Sequence, residues 1–379
     1  MKKTFGVFGL SLALLTACAP QQKEALTLSG LNPTNFETLV DGNKSVKLYT
    51  LKNASGMEVC ITNFGGRLVS VMVPDKEGNL TDVILGFDNI KDYQTVPTDF
   101  GASIGRYANR INQGKIVIDG EEIQLPQNNY GHCLHGGPEG WQYQVYEAKQ
   151  LNDTQLELVL NSPDGDSNFP GNVVAKVVYT LTDDNAIDIA YEATTDKKTI
   201  INMTNHAYFN LNGNPAVPGT NQVLYIASDS ITPVDSTFMT TGEMMAVAGT
   251  PFDFNTPKAI EQDVTNFDNE QIKFGKGYDH NWVLTTKGDI SKVAAKLSSP
   301  VTGITLDVYT NEPGIQVYTG NFLDGTVTGK KGIAYPQRAS VCLETQHYPD
   351  SPNKAHWPSV ILEPGQTYHS RCIYKFGVE

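Results

Sequence analysis

The sequence predicts an all-β fold, an antiparallel sandwich or barrel. Three observations carry this expectation. Short runs rich in β-branched and aromatic residues recur from about residue 46 almost to the end, with turn signals between them. No stretch of a dozen residues holds the apolar period of a surface helix. Glycine (34) and proline (20) are abundant, as many turns and few helices require.

Taken in order, the strand-like runs begin at residues 46–52, 57–62 and 68–73. Residues 115–118 and 123–125 flank Asp119-Gly120, a strong hairpin signal because both central positions of the tight turn need positive φ. Residues 155–160, 173–181 and 186–193 form a meander with Asp183-Asp184-Asn185 as a turn. Residues 199–203 lead as a strand into Thr204-Asn205-His206-Ala207-Tyr208-Phe209-Asn210-Leu211, which puts His206 near the strand's far end. Runs at 223–227, 282–285, 293–297, 304–309, 315–319 and 340–344 continue the pattern, and 367–376 closes the chain. The absence of a repeat of roughly 20–50 residues disfavours a propeller. No linker-like change of composition follows residue 40, so residues 41–379 read as one domain.

The N-terminus reads differently. Lys2 and Lys3 precede an apolar run at 5–15 that is too short to span a bilayer. It ends in Leu15-Thr16-Ala17-Cys18, which resembles a bacterial lipobox, so residues 1–18 are expected to be a lipoprotein signal peptide. Cys18 would carry the lipid, and residues 19–40 would form a tether and entry segment. The membrane is then met only through a lipid anchor, and the chain works on the periplasmic side. Ala19, rather than Asp, follows the cysteine and points to the outer membrane.

About 360 residues remain without that segment, enough for a large core. A net charge of −13 argues against nucleic acid, whose phosphates it would repel. The remaining cysteines, Cys60, Cys133, Cys342 and Cys372, lack the short spacings of a disulfide framework and are expected as buried free thiols.

Five segments carry candidate chemistry. His206 lies among two asparagines and two aromatics, where an imidazole titrates near neutrality beside aromatic walls. Gly105-Arg106-Tyr107-Ala108-Asn109-Arg110-Ile111 offers two guanidinium forks and an amide for hydroxyls or a carboxylate. His132, Cys133 and His135 have the look of a metal cluster. In an extended segment, however, 132 and 135 face opposite sides, and no second pair follows at zinc spacing. His135 before Gly136-Gly137 suits a tight turn that reaches a ligand. Asp279, in Gly277-Tyr278-Asp279-His280-Asn281-Trp282, joins a carboxylate to aromatics, a common way to hold a sugar. Glu344 ends an otherwise apolar strand, where a carboxylate is costly unless paired or functional. Gln316 stands on another strand-like run.

Together, in this order, GRYANRI, LHGG, TNHAYFNL, GYDHNW, QVYTGNFLDG and LETQHYPDSPN resemble the aldose 1-epimerase (galactose mutarotase) family, from about residue 45 to the C-terminus. The resemblance implies a large antiparallel β-sandwich with an open cleft, and an isomerase of carbohydrate metabolism. It implies Glu344 as general base, His206 as general acid and His135 as the second active-site histidine, sharing the acid role or stabilising the ring oxygen. Asn109, Arg110, Tyr208, Asp279 and Gln316 fall at or beside sugar-binding positions. The chain departs from the family pattern only peripherally, in the lipobox, the N-terminal tail and His132-Cys133 ahead of LHGG. No metal or organic cofactor is expected, and the implied substrate is a free aldose such as galactose or glucose. The residues leave two other readings open: a glycosidase or lyase, and a membrane-tethered carbohydrate-binding sandwich. In the implied reaction, Glu344 takes the anomeric proton while protonated His206 gives one to the ring oxygen. The Glu344 carboxylate is expected to raise the His206 pKa.

Overall fold

Three antiparallel sheets enclose the main core. The structure, a computed structural model, describes residues 1–3, 25–40 and 42–379, so the lipobox and Cys18 lie outside the described residues. The largest sheet has nine strands in the order Glu147–Asn152, Gln155–Ser162, Val173–Leu181, Ala186–Thr195, Thr367–Val378, Ile304–Thr310, Ala295–Ser298, Val223–Ile226 and Lys258–Ala259. Its long second and third strands alternate strictly. Leu156, Leu158 and Leu160, and then Val173, Ala175, Val177 and Tyr179, point inward while their neighbours meet solvent. That period of two is what lays one apolar face over a core. Each fully buried large aliphatic side chain contributes about 1.5–3 kcal/mol.

Facing it across the core are a six-stranded and a four-stranded sheet. The six-stranded sheet runs Tyr208–Phe209, Val341–Gln346, Gly314–Tyr318, Asp279–Leu284, Ser228–Thr232, Met245–Ala246. Phe209, Leu343, Val317, Ile315 and Trp282 give it its inward face. Tyr374 of the large sheet donates its hydroxyl to the Leu343 carbonyl at 2.8 Å and meets Phe209 edge-on, with ring centroids 5.0 Å apart, which ties the layers together. The sandwich expectation holds, and only two α-helices of six residues, Ile90–Thr95 and Glu270–Gly275, occur among the described residues.

The Asp119-Gly120 hairpin is present, with both residues at positive φ (52° and 86°). Its second strand, Glu121–Gln124, starts two residues before the expected run, because the turn needs only its two central residues. The N-terminal boundary needs correction. Residues 27–40 do not behave as tether: Leu31 and Phe36 are buried, Ser29 bonds Ser70 at 3.0 Å, and the Leu28 amide donates to Glu58 at 2.6 Å. Thr38–Val40 pairs with Lys44–Val46 across the expected boundary. The polar composition of 27–40 serves turns and caps rather than a loose linker, as at Asn32, which caps the 3₁₀ turn Pro33–Phe36. Cys60, Cys133, Cys342 and Cys372 are all free and buried.

Candidate active site

The strand period that builds the core also builds the site. Across the six-stranded sheet, Glu344 lies opposite Gln316, and Gln316 opposite Asn281. Tyr318 lies opposite both Asp279 and Cys342, and Cys342 opposite Tyr208. Side chains two apart share a face. Glu344, Gln316, Tyr318, Asp279 and Tyr208 therefore crowd the side away from the main core, where they line a cleft of roughly 520 Å³ including its open mouth. Gln316 donates to Asp279 Oδ1 at 2.7 Å. His280 points the other way, against Phe252 and Trp282, and burial brings its pKa down to about 3, so it is a neutral core histidine.

His206 reaches the same cleft from outside that sheet. It ends the short strand Thr204–His206, which pairs with Ala102–Ile104. The strand expected at 199–203 is only Thr199–Ile200, because the chain then bonds to Arg106 and Ala108 from Asn202 instead of extending a sheet. The His206 ring stacks on Tyr208 at 5.0 Å, and its Nε2 stands 3.6 Å from Glu344 Oε1.

His135 arrives on the turn that its glycines demand. His135, Gly136 and Gly137 all have positive φ, at 51°, 79° and 92°. A Cβ on Gly136 would overlap the Gly105 carbonyl oxygen, so the LHGG turn rests directly on the GRYANRI segment. Asn109, itself at φ 63°, donates its amide N–H to His135 Nδ1 at 3.1 Å and accepts the His135 amide at 3.0 Å. An accepting Nδ1 leaves the ring proton on Nε2. The His135 and His206 rings meet edge to face at 5.2 Å.

Arg110 is buried in the cleft wall, held by Asn129 at 3.0 Å and by the face of Phe238 at 5.0 Å. Arg106, its partner in the motif, is not in the cleft. Its guanidinium donates to the Ser162 hydroxyl and to the carbonyls of Ser162, Pro163 and Pro170. One of the two arginines of the motif is therefore structural. His132 and Cys133 also stand aside. His132 accepts from the Gln113 amide and bonds Thr237, and burial pushes the Cys133 thiol up to about 12.

Burial dominates the electrostatics. It drives the Glu344 carboxyl well above the ordinary range, with Asp279 and Asp99 adding to the shift and Arg110 opposing it. It pushes the His206 imidazole down against the pull of Asp99, and the His135 imidazole far down, helped by His206 and Arg110. The expectation that Glu344 would raise the His206 pKa is thus corrected: burial lowers it, and the upward pull comes from Asp99. Asp279 is likewise raised by burial, against Arg110 and the Gln316 hydrogen bond. Glu344 Oε2, Gln316 Oε1 and His206 Nδ1 are buried with no hydrogen-bond partner, an arrangement suited to a polyhydroxylated ligand.

A carboxylate facing an imidazole, a second neutral imidazole, and an Arg–Asp–Gln wall are equipped for proton transfer on a sugar. Residues 47–375 match the family model described as Aldose 1-epimerase. The chain belongs to that family. The aldose 1-epimerase of Escherichia coli K12 is 41% identical over 343 residues, spanning 90% of this chain and 98% of that protein. The human galactose mutarotase is 37% identical over 345 residues, 90% and 97% of the two chains. Among solved structures, an aldose epimerase homologue from C. elegans superposes with a TM-score of 0.82 at 31% identity, covering 88% of this chain and 99% of that one. A galactose 1-epimerase from Lactobacillus acidophilus does so at 0.79 and 31%, covering 90% and 97%. The chain is accordingly an isomerase that interconverts sugar anomers, which selects that reading over the glycosidase and binding-module alternatives.

All eight expected catalytic and sugar-binding residues line this cleft: Asn109, Arg110, His135, His206, Tyr208, Asp279, Gln316 and Glu344. Sequence reasoning missed Asp99, Asn129, Leu134, Tyr318 and Phe322. Tyr318 was within reach, since it sits two residues from Gln316 on one strand. Asp99 carries no motif signal.

Proposed function

We propose that the cleft opens and recloses the ring of a free aldose, galactose or glucose first, with Glu344 as base, His206 as acid and His135 as a neutral donor to the ring oxygen. The observation that carries this is the 3.6 Å approach of His206 Nε2 to Glu344 Oε1 at the floor of the cleft. Glu344 takes the proton of the anomeric hydroxyl and His206 gives one to the ring oxygen as the C1–O5 bond breaks. Rotation about C1–C2 presents the other carbonyl face, and reclosure reverses both transfers. General acid–base catalysis of this kind supplies about 10²–10⁴-fold per group.

The shifts caused by burial have a use here. Glu344 and imidazolium His206 start as an ion pair and become two neutral groups when the ring opens. Desolvation favours the neutral pair, so it stabilises the ring-opened state over the closed one. Asp279, Gln316 and Arg110 bind ring hydroxyls away from the reacting end. The name of the human relative supports galactose as a substrate. Lys2, Lys3, the apolar run and Leu15-Thr16-Ala17-Cys18 support export and lipid attachment at Cys18, on the periplasmic side of the outer membrane. The test is saturation transfer between α and β anomeric protons of galactose and glucose. Transfer above the buffer rate supports the reading, and sugar binding without transfer contradicts it.

A further inference from the structure

We propose that Asp99 is a positioning residue that acts through His206: its carboxylate, on a loop braced by buried Arg67, holds the acid's proton on the imidazole and sets the pH window of turnover. This rests on the epimerase mechanism above and adds a residue to it.

The geometry is specific. Single ligand-type atoms of Asp99, His135 and His206 lie within 4.8 Å of one another at the cleft wall. Arg67, fully buried, donates from Nη1 to the carbonyls of Thr98 (3.1 Å) and Phe100 (3.0 Å), the residues on either side of Asp99, and from Nη2 to Gln142 (2.8 Å). The Gly101 amide bonds the His206 carbonyl at 3.0 Å, so the loop is pinned to the acid's own strand. An aspartate kept only for loop structure spends its oxygens on nearby amides, as Asp75 does with the amides of Glu77 and Asn79. Asp99 Oδ1 is buried and bonds nothing. His206 Nδ1 is also buried without a side-chain partner, and after burial the pull of Asp99 comes first among the influences on its ring, ahead of its own backbone.

The groups facing His206 are Glu344 at 3.6 Å, the rings of His135, Tyr208 and Tyr318, the Asp99 carboxylate and, behind it, the Arg67 guanidinium. Of the two carboxylates, Glu344 loses its charge during ring opening. Asp99 takes no part in the transfer, so its carboxylate faces the pair both before and after the protons move. It therefore favours the protonated pair at every stage, raising both His206 and Glu344.

The experiment is the pH profile of kcat/KM for anomer exchange with the full-length chain, comparing wild type, Asp99→Asn and Asp99→Glu. Removing one negative charge about 5 Å away lowers both macroscopic pKa values, so both limbs of the Asp99→Asn bell should slide to lower pH by roughly half to two units. Asp99→Glu should keep the wild-type window. Limbs left in place with a uniformly slower rate would mark a structural residue and overturn the proposal. Limbs left in place with a loss confined to hexoses, xylose being unaffected, would show that Asp99 touches the C6 hydroxyl instead. If wild type exchanges no aldose at any pH, the epimerase mechanism itself falls, and this inference with it.

Discussion

Glu344 is buried to 1% exposure on a strand whose alternate members fill the core, where a carboxylate is costly to hold charged. Its folded pKa is raised, so between the unfolded and folded values the native state binds the extra proton. Stability is then fully present below the unfolded pKa and declines as pH rises through the folded one. Glu344→Gln keeps the shape and removes the charge. The expected result is an inactive variant with a higher Tm than wild type at pH 7–8, and a gap that closes as the pH is lowered toward 4. Thermal unfolding across that range checks it, and an equal or lower Tm at pH 8 would count against a strained, buried base. His135 differs in kind. Its Nδ1 is committed to the Asn109 amide and its pKa is held far down, which suits the neutral-donor part proposed for it and leaves the moving proton to His206 in that proposal.

At the scale of elements, the site is the outer face of one sheet closed by two turns. The Gly136 turn is the more demanding, because its positive φ and its seat on the Gly105 carbonyl both exclude a side chain. Gly136→Ala should fold less stably and lose about tenfold or more in kcat/KM through displacement of His135 by an ångström or so. Circular dichroism melts and anomer-exchange rates measure the two effects, and wild-type kinetics in the variant would refute the role given to the turn. The long strands of the large sheet were legible in the sequence because eight or more residues of strict alternation leave a clear record, as at 155–162 and 173–181. The two- and three-residue strands that position His206 and Arg110 were not, since a period of two leaves no signature in so short a run. The site residues were readable through their motifs. Within one motif, however, Arg106 and Arg110 look alike, and only the carbonyls of Ser162, Pro163 and Pro170 show that Arg106 is a brace. Asp99 was unreadable because its meaning comes from a loop and a strand about a hundred residues apart meeting at the cleft.

At the scale of the whole molecule, two layers share one core, and the cleft lies on the face of the six-stranded sheet turned away from it. Packing reaches back to about residue 27, which leaves only a short segment between Cys18 and the folded body. If Cys18 carries the lipid, the folded body is held close to the membrane surface, not far out on a long arm. Metabolic labelling with palmitate should mark the wild-type chain and leave Cys18→Ala unlabelled and soluble. Labelling of neither would refute the anchor without touching the chemistry of the cleft. No helix among the described residues is long and apolar enough to cross a membrane.

Proton transfer by His206 and Glu344, as proposed, changes optical rotation, and polarimetry reads it without a coupled assay. Freshly dissolved α-D-galactose and α-D-glucose are followed with wild type, Glu344→Gln and His206→Asn. Wild type should hasten the approach to the same final rotation, and each variant should lose at least 10²–10⁴-fold of that acceleration. Variants that still equilibrate the sugars at the wild-type rate would contradict the acid–base pair.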